Sequence, residues 1–221
     1  MPLKKKIEDD SLVDQLVSLI HDAIIEGEYE PGAHIGVKKI ADRYGVSMIP
    51  VREALARLLP SRLVNVENNR GYFVADKPTP EEFRQFVEAR ELFETSVMDL
   101  GFDKAGVEDI KKLRGLNDKM RKVAVSSGKH RMVKWSRLNV EFHQTLVDLA
   151  QNSFLSNQYS DLSYGYMHLQ LVQSFPREFT SLELLVEQHN QMIDAHEKGD
   201  RKTFFEVLSG HIQNVLIVDE D

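Results

Sequence analysis

Three stripes of apolar residues at helical spacing each carry a histidine. Trp135, Asn139, Phe142, His143, Leu146 and Ala150 form one stripe. Leu182, Leu185, Val186, His189, Met192, Ile193 and His196 form a second, and Phe204, Leu208, His211, Ile212 and Val215 a third. Residues three and four apart share a helix face, and an apolar face turns inward, so each stripe carries imidazole into a common interior. A lone core histidine is ordinarily a hydrogen-bonded structural residue. Imidazoles on three inward faces, with the amide oxygen of Asn139 one turn before His143, can instead hold a divalent metal. Arg90 raises a related question, because it shares a stripe with Phe83, Phe86, Val87, Phe93 and Val97. A guanidinium among phenylalanines cannot discharge, so it needs either an internal carboxylate, such as Glu94 or Asp148, or a bound anion.

A second set of residues suits nucleic acid. In "YGVSMIPVREALARLL" (Tyr44 to Leu59) a short helix from Val37 to Tyr44 stops at Gly45, and another starts after Ser47, a good N-cap residue. Pro50 falls in the first turn, where its missing N–H costs nothing. If the second helix lies in a major groove, Ser47, Met48, Ile49 and Arg52 reach base edges, and Arg52 can bridge guanine O6 and N7. Lys38 and Arg70 are placed for phosphate or minor-groove contact. Met48 and Ile49 cannot donate to guanine but can pack on a thymine methyl.

The elements that must position these groups can be read in order. Leu12, Leu16, Leu19, Ile20, Ala23 and Ile24 predict a first helix, closed by Gly27, Pro31 and Gly32. The two helices above follow, with Val51, Ala54, Leu55 and Leu58 as the buried stripe of the second. Leu63, Val64 and Val66 then face Tyr72, Phe73 and Val74 across a turn of Asn68, Asn69 and Gly71, a hairpin signal. Three helices and a hairpin predict a winged helix-turn-helix. The rest is helical without strand pattern or repeat, near 80–101, 107–126, 130–151, 153–173, 181–198 and 200–217. The fold class is therefore mainly α: an N-terminal winged helix-turn-helix domain over 1–76, a linker at 77–82 around two prolines, and an all-helical bundle of about six helices over 83–221.

The net charge of −7 on 221 residues looks unsuited to DNA, but its distribution is uneven. Eight acidic and no basic residues fall between Glu8 and Glu30. From Lys38 to Phe73 seven basic residues (Lys38, Lys39, Arg43, Arg52, Arg57, Arg62, Arg70) face three acidic ones (Asp42, Glu53, Glu67), a local excess of 7 − 3 = +4. Screening over about 8–10 Å makes such a field regional. There is no cysteine, hence no disulfide, thiolate metal site or cysteine nucleophile. No run approaches the roughly 18 apolar residues of a membrane span, and no signal peptide is evident, so a cytoplasmic protein without membrane contact is expected.

"ADRYGVSMIPVREALARL" and "VENNRGYFV" resemble the recognition-helix signature and wing of the GntR family of transcription regulators, over roughly residues 10–75. The resemblance implies that Lys38, Ser47, Arg52 and Arg70 stand where members contact operator DNA. Arg-Thr is usual where this chain has Met48-Ile49, and a small-residue or Gly turn where it has "LPSR" (Leu59 to Arg62). Arg57 matches a frequent family arginine that is structural or contacts phosphate. "EARELFE", "NVEFHQTL", "EQHNQMIDAHEKGD" and "SGHIQNV" are similar to the FCD ligand-binding domain of the FadR subfamily, over residues 78–217. That resemblance implies a metal, zinc or nickel, on Asn139, His143, His189 and His211, with Arg90 on the carboxylate of a small organic acid. Many members have Asp where this chain has Asn139. His21, His34, His130, His168 and His196 match no family ligand and are expected to be structural or exposed.

The expectation is a homodimeric transcription regulator, not an enzyme. A small carboxylate bound near the metal would set its affinity for palindromic double-stranded operator DNA. Two other readings compete. A metal-responsive regulator would need no organic effector. A metal-dependent hydrolase would need a general base beside an open metal position, yet the chain has no His-Glu-x-x-His run, and Glu141 and Glu187 point off the inner face.

Overall fold

The computed structural model describes residues 12–61, 63–128, 131–161 and 181–214. The chain divides between Asp76 and Lys77 into two compact units.

The first unit opens with helix α1 (Leu12–Ile25), which buries Leu16, Ile20, Ala23, Ile24 and Ile25. Leu12 and Leu19, read as part of that stripe, are exposed: six apolar positions span more of the helix than its neighbours cover. The chain turns through Gly27 and Gly32, both at positive φ. Gly32 has φ of 74°, a conformation that L side chains rarely adopt, so the turn needs glycine there.

Helix α2 (Val37–Tyr44) ends at Gly45, whose φ of 66° closes it in the left-handed conformation. Helix α3 (Met48–Leu58) follows after only three residues and packs on α1 and α2. Val51, Ala54, Leu55 and Leu58 make the buried face, as their spacing predicts. Ser47 occupies the N-cap position, but its side chain makes no capping hydrogen bond.

Strands β2 (Val64–Glu67) and β3 (Gly71–Val74) form the expected hairpin, with Val64 opposite Val74 and Glu67 opposite Gly71. Asn69 and Gly71 take φ of 62° and 96°, which is why the turn uses these residue types. One strand is not apparent from the sequence. His34–Ile35, β1, pairs antiparallel with β3 and makes the sheet three-stranded in the order β1-β3-β2.

The second unit begins with helix α4 (Pro80–Gly101). Thr79 caps it through a reciprocal box: its hydroxyl accepts from the Glu82 N–H while the Glu82 carboxylate accepts from the Thr79 N–H. Pro80, Glu81 and Glu82 therefore form the first helical turn, and the last three residues of the predicted 77–82 linker are helix. A short 3₁₀ turn, Phe102–Lys104, leads to α5 (Val107–Ala124). Helices α6 (Arg131–Asp148), α7 (Ser153–Asp161), α8 (Leu182–Glu197) and α9 (Arg201–Gln213) complete the described elements. The predicted extension of the α7 segment to 173 and of α9 to 217 lies outside the described residues.

Helix α5 packs on α6 and α8, and α9 on α8 and α4. Trp135, Phe142, Met120, Met192, Phe204 and Leu208 fill the space between them. Residue 101 sits where α4 meets the end of α6. A Cβ there would lie 2.7 Å from the Ala150 nitrogen, so the helices approach this closely only over a glycine. Lys104 then ties the same corner with a 2.7 Å hydrogen bond to the Ala150 carbonyl.

Candidate metal centre and nucleic-acid interface

His143 on α6, His189 on α8 and His211 on α9 all point into the bundle, and each is at most 2% exposed. One nitrogen from each ring comes within 4.8 Å of the others. His143 Nε2 lies 3.1 Å from His211 Nε2, which lies 3.2 Å from His189 Nε2. Nitrogens bound tetrahedrally at 2.0–2.1 Å to one zinc ion stand about 3.3 Å apart, so these separations fit a ligand set.

The protons decide how to read those contacts. His143 Nδ1 is 2.7 Å from a Glu94 carboxylate oxygen and must carry the hydrogen that this oxygen accepts. His211 Nδ1 likewise faces the Gln188 amide oxygen at 3.1 Å. Each neutral ring then has a lone pair on Nε2, and the 3.1 Å approach of these two nitrogens is not a hydrogen bond. An added proton would make it one, but burial pushes the basicity of both rings down, and for His211 the neighbouring His189 and His143 push it further. A cation between them would turn lone-pair repulsion into coordination.

Asn139 sits one turn before His143, 3% exposed, with its Oδ1 buried and without a hydrogen-bond partner among the described residues. A buried carbonyl oxygen without a donor costs about 1–3 kcal/mol unless something else binds it. Both the orphan oxygen and the facing imidazoles suit a divalent ion. Around them, Phe142 stacks on His189 at 4.1 Å between ring centres and keeps water from that side.

Arg90 has an internal partner. Its Nε donates to Glu94 Oε1 at 2.5 Å, with both side chains at most 5% exposed. Of the two candidate carboxylates, Asp148 is engaged elsewhere, accepting from Gln144 and from the Ser156 hydroxyl. Burial alone would raise the Glu94 pKa, but the charge of Arg90 and hydrogen bonds from Arg90 and His143 hold it well below the usual carboxylate range. Glu94 is thus an ionised group in the bundle interior. Tyr159 adds a third donor, its hydroxyl 3.0 Å from the same Oε1.

Gln188 and Tyr159 line the cluster and are missed by sequence reasoning, which names Glu94 only as a possible partner for Arg90. Glu94 carries one signal, its position one turn beyond Arg90. Nothing in the sequence links Glu94 to His143, 49 residues on. Among the other histidines, His196 is structural, its Nε2 2.7 Å from the Phe102 carbonyl. His34 packs edge-on against Phe73, and His21 contacts Asp22. His130 and His168 lie outside the described residues. Glu141 and Glu187 are exposed, away from the imidazoles.

In the first unit, Lys38, Ser47, Met48, Ile49, Arg52 and Arg70 are all exposed. Met48 and Ile49 are 47% and 76% exposed at the start of α3, so two large apolar side chains stand in water on the face where a recognition helix meets bases. Lys38 and Arg52 enter no ion pair among the described residues. Arg70 is held at the wing by Glu67 and lies over the Phe73 ring at 5.1 Å. Arg57 is engaged structurally, joining α3 to α1 through Asp14 at 2.7 Å and to Glu53 at 2.8 Å. Arg43 is likewise bound to Glu28.

A winged helix-turn-helix with an open recognition face, followed in one chain by a helical bundle with an inward imidazole cluster, is the makeup of a transcription regulator. Residues 12–74 match the gntR family of bacterial regulatory proteins, and residues 85–214 match the FCD domain. The chain belongs to this family, the GntR-type regulators with an FCD domain. It is similar to the HTH-type transcriptional repressor GlaR of Escherichia coli, 27% identical over 76% of each chain. It is also similar to the HTH-type transcriptional regulator LutR of Bacillus subtilis, 25% identical over 87% of this chain and 94% of that one. Among solved structures, E. coli McbR/YncC shares the fold with a TM-score of 0.75 at 19% identity, covering 93% and 95% of the two chains. No helix among the described residues is long and apolar enough to cross a membrane.

Proposed function

We propose that this regulator is a homodimer that binds palindromic operator DNA through α3 and the wing. A small organic acid held near a divalent metal in the FCD bundle changes that binding. The observation that carries the metal half is the convergence of His143, His189 and His211 with two Nε2 lone pairs 3.1 Å apart. Asn139 is the fourth ligand, offering an Oδ1 that has no hydrogen-bond partner among the described residues. The ligands are three imidazoles and an amide, a set suited to zinc or nickel. When bound, the ion supplies a Lewis-acid contact for a carboxylate oxygen, and Arg90 supplies the second contact for the acid.

Regulation follows from linkage: an acid that binds one arrangement of the dimer better than another shifts the spacing of the two winged domains and their fit to half-sites. The relatives are named repressors and regulators, and Glu94, the carboxylate that touches His143, is taken up by Arg90, Tyr159 and that ring. The chain is accordingly a regulator and not an enzyme.

The internal partner of Arg90 supports a second reading. A guanidinium already neutralised by Glu94 does not need an acid for its charge, as a metal-responsive regulator without organic effector requires. Thermal-shift measurements with small mono- and dicarboxylates, with and without chelator, separate the two. The first reading predicts that at least one acid raises the melting temperature only while metal is present. A shift from metal alone, with no acid adding to it, would favour the second.

A further inference from the structure

We infer that Glu94 is a positioning residue of the metal site, holding His143 in the one tautomer and ring orientation that can ligate. The inference rests on the metal reading proposed above. Its basis is that both oxygens of one buried carboxylate are in use. Oε1 accepts from Arg90 Nε and from the Tyr159 hydroxyl, and Oε2 accepts from His143 Nδ1. With three donors from three helices, α4, α6 and α7, the carboxylate has no freedom to turn.

The consequence for His143 is chemical. An imidazole presents a lone pair at Nε2 only while its proton is on Nδ1. The acceptor at Nδ1 therefore selects the ligand form, and its negative charge makes Nε2 a better donor to a cation. Gln188 does the same for His211 with a neutral oxygen. Arg90 has a distinct part in this arrangement. A carboxylate 1% exposed is costly without a counter-charge, and Arg90, one helical turn away, supplies it. An ordinary i,i+4 ion pair on a helix has two members and a solvent face. This one is buried and has a metal-ligand histidine as its third member.

The test uses the full-length protein and zinc alone, in competition with a chromophoric chelator, together with imidazole ¹⁵N spectra of the metal-free protein. Glu94→Gln is expected to lose about 10–100-fold in zinc affinity and to move His143 toward the Nε2–H form. Because Glu94→Gln leaves Arg90 without its counter-charge, the double variant Arg90→Met/Glu94→Gln is measured beside it and should show the same two changes. Tyr159→Phe removes one donor from the same carboxylate but keeps its charge and its contact with the ring, and should weaken zinc binding by less than Glu94→Gln does. Wild-type zinc affinity and an unchanged His143 tautomer in both Glu94 variants would overturn the assignment and leave Glu94 as a counter-charge for Arg90. Failure of the wild type itself to bind zinc would remove the metal reading, and this assignment with it.

Discussion

His211→Ala removes the response of the protein's melting to zinc. At a free zinc concentration a thousandfold above the dissociation constant, a ligand that binds only the folded state stabilises it by about 4 kcal/mol. For a protein of this size that is an upward shift of about 10 °C. His211 is the ring whose Nε2 approaches both others, at 3.1 and 3.2 Å, so its loss leaves two nitrogens and Asn139, too few to close a tetrahedral site. Differential scanning calorimetry with and without excess chelator measures the effect. The wild type should lose its shift on chelation, and the variant should have none to lose. A zinc response of equal size in both proteins would mean that the metal lies elsewhere.

The second large effect concerns DNA. Arg52→Ala should weaken binding to the operator by about 1–3 kcal/mol and relax preference at one base position. Arg52 is exposed on α3 and enters no ion pair among the described residues, so nothing internal is broken by its removal. Arg57, by contrast, bridges Asp14 and Glu53, and its removal would test the packing of α1 on α3. The same binding assay on a randomised site tests Met48 and Ile49. Apolar contact with thymine methyls predicts A·T pairs opposite them. A guanine-rich half-site at those positions, or an Arg52→Ala protein with unchanged affinity and preference, would mean that α3 does not meet bases as assigned.

Much of the fold is legible in the amino-acid sequence, and the reasons are local. The stripes of α6, α8 and α9 can be read because a bundle interior enforces the 3.6 period over four turns, and each histidine assigned to the metal on them is buried. The wing can be read because Asn69 and Gly71 are the residue types that positive φ selects. What escapes is short or non-local. A two-residue strand such as His34–Ile35 cannot show a period, and it exists because β3 offers it an edge. Leu12 and Leu19 join the stripe of α1 on spacing alone, but whether an apolar residue is covered depends on the neighbouring elements. The helix capped by Thr79 begins at Pro80, inside the stretch that two prolines mark as linker.

The site divides along the same line. Ligating side chains announce themselves by type, whereas the residues that orient them do not. Glu94 looks in sequence like a partner for Arg90 and no more, since its bond to His143 depends on how α4 packs against α6. Gln188 sits beside His189 in sequence yet serves His211 on the next helix. The Asn139 Oδ1 is buried and has no hydrogen-bond partner among the described residues, which suits a ligand role for the amide better than a purely structural one.

The most direct test is an operator-binding isotherm, recorded for the full-length protein with zinc, with zinc plus the carboxylate selected by thermal shift, and with that carboxylate after chelation. The predicted result is a change in operator affinity of at least about tenfold, some 1.4 kcal/mol, when zinc and acid are both present, and no effect of the acid once zinc is removed. Three superimposable isotherms would contradict the claim that the bundle controls the winged domain through a metal-bound acid.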